Sequence, residues 1–198
     1  MRMGKNMKYF CAALALMVSL FAACACASAE SGESGLSGLR VIRGEDTVRI
    51  TLSAEMVGET TEEEISQSAQ TGGSYMGYEL HEDGSVTYIM SAEKYEGMMG
   101  TLRASVDECI AMLLEGEKAV DSFRRIEYND ALSDFSVYVD KETFSTWDSM
   151  NALSFYIYGA YYQTFLGVPG DQIDIVISFI DEASGEVLST ASYRDYAK

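Results

Sequence analysis

The residues able to do chemistry are few, and most of them are rivals for simpler roles. Ser91-Ala92-Glu93-Lys94 fits S-x-x-K, which sets a serine and a lysine one helical turn apart. In serine β-lactamases and penicillin-binding proteins that spacing serves a nucleophilic serine and a lysine that manages its proton, but the companion S-D-N and K-T-G elements are missing here. Ser91 as a helix N-cap accounts for the same letters. His81 is the one histidine. Any Ser-His-Asp or Cys-His arrangement would have to use it, yet it adjoins a turn and no G-x-S-x-G elbow exists. A zinc site built from several histidines is impossible, and the cysteine spacing offers no substitute. Neither G-x-x-x-x-G-K-[ST] nor G-x-G-x-x-G occurs, so phosphate loops are absent. Carboxylates are numerous enough for a glycosidase-like pair, but no motif selects two of them. No catalytic residue, cofactor site or metal site is therefore assigned.

A different set of side chains suits recognition. Trp147, Phe155, Tyr156, Tyr158, Tyr161 and Tyr162 crowd one segment and could line a groove for a carbohydrate, peptide or protein. Core packing is the plainer use of the same aromatics. Cys109 shares a helical face with Leu102, Val106 and Leu113, so its thiol is expected to be buried and inert.

The N-terminus sets the address. Arg2, Lys5 and Lys8 precede an uncharged apolar run from Tyr9 to Phe21, the order of a secretory signal peptide. Leu20-Phe21-Ala22-Ala23-Cys24 resembles a bacterial lipobox, which makes Cys24 the expected lipidated residue and residues 1–23 the leader. Ala27-Ser28-Ala29 is a competing site for ordinary signal peptidase and would release a secreted form. Residues 24–38 read as a Ser/Gly/Glu tether reaching roughly 20 Å. Residues 39–198 are expected to form a single acidic domain, large enough to bury a core without disulfide staples.

Charge narrows the partners. The net charge of −17 includes the leader's three positive charges, which leaves −20 on the remainder. Such a surface repels phosphate backbones and anionic head groups, so nucleic acid is excluded as a partner. The expected partners are the membrane through the lipid anchor and a protein, peptide or small-molecule ligand.

The elements that must position these residues follow from periodicity. Thr47 to Leu52 alternates as a strand, and Thr61-Glu62-Glu63-Glu64 opens a short helix through a capping box. Its acidic run suits the helix dipole better than a calcium site. Tyr78 to Met90 reads as a hairpin about Glu82-Asp83-Gly84, followed by a helix capped by Ser91. The pattern recurs: Ile126 to Val139 reads as a hairpin, and Asp140 as the cap of a second helix carrying Phe144, Trp147, Met150 and Ile157. Ser149 to Gly170 contains no charged residue, which predicts a helix buried on most sides and ended by Gly167. A last hairpin turns at Glu182 to Gly185. The predicted class is α+β: an antiparallel sheet of hairpins with two longer helices and one short one, in a doubled ββα pattern followed by a C-terminal hairpin.

Asp83-Gly84-Ser85-Val86-Thr87-Tyr88, Ile126-Glu127-Tyr128-Asn129, the aromatic helix and Ser184-Gly185-Glu186-Val187 together resemble uncharacterised secreted lipoproteins of anaerobic Gram-positive bacteria. The resemblance implies an exported address at the outer face of the cell membrane and carries no activity to transfer. Two functions are thus expected in competition: a tethered, non-catalytic binding module, and an extracytoplasmic hydrolase using carboxylates or Ser91 with Lys94.

Overall fold

Side-chain alternation builds eight strands among the described residues, and the computed structural model sorts them into two four-stranded sheets. It describes residues 38–58, 61–63, 65–66 and 75–196. The leader, Cys24, both cleavage sites and the tether up to residue 37 lie outside them. The chain divides into two compact units between Glu96 and Gly97.

In the first unit, β1 (Leu39–Arg43), β2 (Thr47–Leu52), β3 (Gly77–Leu80) and β4 (Val86–Ser91) pair antiparallel in the order β1-β2-β4-β3. Val48, Ile50, Val86 and Met90 are buried on one face, as the period-two pattern requires. The β3–β4 turn is closed by Gly84 at φ 80°, a conformation open to glycine, while Asp83 accepts from the Ser85 backbone and hydroxyl. Strand β1 has no counterpart in the sequence reading, and α1 (Ala54–Val57), capped by Ser53, is a further short helix. Residues 62, 63, 65 and 66 are helical where the capping box placed a turn of helix.

Ser91 opens the long helix α2 (Ala92–Leu114): its Oγ accepts the backbone N–H of Lys94 at 3.2 Å. Tyr95, Met98, Val106 and Cys109 are buried along the expected face.

In the second unit β5 (Phe123–Tyr128), β6 (Asp134–Val139), β7 (Val176–Asp181) and β8 (Val187–Ser192) lie side by side in chain order. The β5–β6 and β7–β8 pairs are antiparallel hairpins, but β6 and β7 run parallel. Parallel neighbours need a crossover, and the segment between them supplies it. It contains α3 (Thr146–Ser149), a 3₁₀ turn (Met150–Leu153) and α4 (Ser154–Phe165). Phe135, Val137, Ile177 and Phe179 share one buried face. Helix α4 covers it, with Phe155 stacked on Phe135 at 4.6 Å. A C-terminal helix, α5 (Tyr193–Tyr196), closes the described chain.

The expected second helix needs correcting at its start and along its face. Asp140 caps no helix: its Oδ1 accepts the Glu142 backbone N–H within a turn. The cap is Ser145, whose Oγ accepts from Asp148 while the Asp148 carboxylate accepts from the Ser145 backbone, a capping box. The end of α4 falls where glycine was expected. Gly167, at φ 85°, donates to the Thr164 carbonyl and Val168 to that of Gln163, the paired bonds of a Schellman motif.

Candidate functional site

The crossover segment presents two faces with different chemistry. Ala152, Phe155, Tyr156, Gly159, Ala160 and Gln163 recur at helical spacing and are buried. The Tyr156 hydroxyl donates to the Ala191 carbonyl at 3.0 Å, and Gln163 Nε2 donates to that of Asp174 at 2.7 Å. These bonds fix α4 against the sheet and satisfy its buried polar groups.

The opposite face is apolar and uncovered. Trp147 is 80% exposed, Met150 55%, Leu153 40% and Ile157 59%. Their alignment follows from backbone geometry. A 3₁₀ turn eclipses residues three apart, so Trp147, Met150 and Leu153 fall in line, and the first turn of α4 extends the line to Ile157. Asn151 is also exposed, with Ser154 and Tyr158 partly so, and no charged residue occurs between Ser149 and Gly170. Asp148, at the start of the stripe, is turned back into the capping box. Its pKa is held below the usual carboxylate range, first by the Ser145 backbone N–H and then by the Ser122 and Ser145 hydroxyls.

The six aromatics singled out in the sequence separate across these two faces. Trp147 is exposed, Tyr158 and Tyr161 are partly exposed, and Phe155, Tyr156 and Tyr162 are buried. Met150 and Ile157, read from the sequence as part of a second helix buried on most sides, stand on the exposed stripe with Trp147. The physical reason is the 3₁₀ turn, which changes the angular step per residue and turns the segment's period away from a uniform helix.

Polar clusters elsewhere are held by their own bonds. Arg103 Nε donates to the Tyr162 hydroxyl at 2.7 Å, and its guanidinium also reaches Asp130. That clamp secures the β5–β6 loop, where buried Leu132 sits at φ 51°, a strained conformation for a branched residue. The Tyr128 hydroxyl donates to Asp107 at 2.6 Å. Burial, then that hydrogen bond, pushes its pKa up to about 12. His81 Nε2 lies 2.7 Å from Thr87 Oγ1, which lies 2.8 Å from Thr51 Oγ1, a polar row in which the Thr87 side chain is buried. Ser91 is engaged as a cap. Cys109 is buried with its Sγ 3.5 Å from Ser154 Oγ. Among the described residues no group of three His, Cys, Asp or Glu side chains is disposed to hold a metal ion. Among them, too, no helix is long and apolar enough to cross a membrane.

No protein-family model matches the chain, and no curated protein or solved structure matches it.

Proposed function

We propose that the protein is an exported, membrane-tethered binding module whose contact face is the stripe Trp147, Met150, Leu153 and Ile157. The observation that carries this reading is the exposure of four large apolar side chains in one line. Single exposed hydrophobes need no explanation, but a contiguous apolar patch on a monomer is often functional. Tryptophan at the head of such a stripe suits recognition, because it offers a large apolar face with a polar N–H. Lipidation at Cys24 supplies the tether in this reading, and cleavage after Ala29 would give a secreted form of the same module. The hydrolase alternative gains no support from Ser91, whose hydroxyl is used in capping.

The test has two parts. A fatty-acid probe fed to cells should label the wild type and not Cys24→Ala. A photoreactive residue placed at position 150 should give covalent adducts in intact cells, whereas one at the exposed position 117 should give few. Equal adduct yields from both positions, or turnover of a substrate abolished by Ser91→Ala, would reject the binding-module reading.

A further inference from the structure

We infer that the occupant of the Trp147 stripe is the lipid surface to which the protein is tethered, so that the α3–α4 face lies in the membrane interface. This rests on the reading of a tethered module and names what its face touches. Three observations select lipid over a protein partner.

The first is area. Four side chains exposed to these extents offer on the order of 500 Å², within the range of the largest patch on an ordinary monomer. A stable protein–protein interface needs about 800 Å² from each partner. Two copies joined through this stripe would fall short of that, and each would bring a net charge of −20 against the other. An interfacial seat has no such threshold, because the tether supplies a high local concentration of lipid and partial insertion is enough.

The second is charge. A partner recognised by the acidic surface would be cationic, and acids would be expected to rim its site. The exposed strip itself carries no charge from Ser149 to Gly170, on a chain with 31 acidic residues; the acids beside it, Asp148 in its capping box and Glu108 near Tyr158, stand at its flanks. An uncharged apolar strip is what can enter the head-group region without desolvating an ion. The third is composition. Tryptophan and tyrosine favour the membrane interface, where the ring is buried and the polar tip stays wet. Trp147 heads the stripe, and Tyr158 and Tyr161 flank its far end partly exposed.

The consequence for lipid choice has a sign opposite to that of most peripheral proteins. With −20 on the chain after its leader, anionic head groups should repel the module and zwitterionic ones should admit it. Added salt should strengthen docking on anionic membranes, where it would weaken a basic protein.

Trp147 is the sole tryptophan, so its fluorescence reports this face alone. The mature, lipidated chain is reconstituted in phosphatidylcholine vesicles, where the acyl anchor at Cys24 tethers wild type and variants alike. Lipids brominated on the acyl chain should quench Trp147 in the wild type. In the double variant Met150→Asp/Ile157→Asp the docked-to-undocked ratio should fall at least roughly tenfold. Both positions are more than half exposed, so the variant should keep the wild-type circular dichroism. Replacing part of the phosphatidylcholine with phosphatidylglycerol should reduce wild-type quenching, and salt should restore it. Absent quenching in the wild type, or equal quenching in the double variant, would overturn the inference. So would protection of Trp147 that depends on protein density rather than on lipid, which would assign the face to a second copy. If vesicle docking fails while position 150 still forms protein adducts in cells, lipid is the wrong occupant and the binding-module reading stands.

Discussion

Tyr128 shows how far single side chains here are committed to structure. Its hydroxyl is partly desolvated and bonded to the Asp107 carboxylate, which raises its pKa from 10.0 to about 12. Between those values the native state keeps the proton that the unfolded chain releases, so unfolding stability falls as pH rises. The contribution is fully present below pH 10 and is lost as pH reaches about 12. Allowing for screening at a partly exposed site, it amounts to about 1 kcal/mol. Ultraviolet difference titration should show one phenol ionising near 12 in the wild type and missing from Tyr128→Phe. The variant should also lose part of the alkaline slope of stability over that interval. A normal phenol titration near 10 for Tyr128 would contradict it. At this scale the sequence was legible where a residue's task is local. Ser91 as a cap, Gly84 and Gly185 in turns and Cys109 in the core each follow from neighbours a few positions away. The exposure of Met150 and Ile157 was not, because it depends on which residues of a uniformly uncharged segment meet the sheet.

Glycines in two helices make opposite predictions from one propensity scale. Gly97 and Gly100 lie within α2 with open space where a Cβ would stand. Alanine there should stabilise by about 0.5–1 kcal/mol each, since glycine costs backbone entropy in a helix. Gly159 lies within α4, where the same scale favours alanine. Its Cβ, however, would stand 2.5 Å from Ile175 Cγ1 and 2.5 Å from the Leu132 carbonyl oxygen. A backbone oxygen cannot swing aside, and Leu132 is already strained at φ 51°. Packing should therefore outweigh propensity, with Gly159→Ala destabilising by about 2–3 kcal/mol. Urea unfolding of the three variants should split in sign, and a stabilised Gly159→Ala would show that α4 does not approach the sheet so closely. Element identity was largely readable from the sequence, because hairpins announce themselves by alternation around a turn. Strand β1 was not: it lies at a sheet edge, only partly covered, with Arg40 and Arg43 diluting its pattern. Nor could alternation reveal that β6 and β7 run parallel. Period two fixes which face a residue joins and is silent on the direction of a partner some forty positions away.

The whole molecule sets who can approach the stripe before any contact is made. With 31 acidic and 14 basic residues, the chain carries a negative potential that extends beyond the residues creating it. The Trp147 face has no charge of its own over the next turns, so a charged quencher approaching it samples that wider field. Cesium should be enriched near Trp147 and iodide depleted, although the residue is 80% exposed to both. Each Stern–Volmer constant, divided by that for N-acetyltryptophanamide, removes the quenchers' intrinsic difference. The normalised cesium value should exceed the iodide value by roughly twofold or more at 0.01 M ionic strength, where the Debye length is about 30 Å. Raising the ionic strength to 0.15 M shortens that length to about 8 Å and should bring the two values together. Acrylamide, being neutral, should quench equally well throughout. Equal normalised constants at low salt would mean that the acidic surface does not reach the stripe. In that case the repulsion expected from anionic lipid would lose its physical basis, while the apolar character of the face would be untouched.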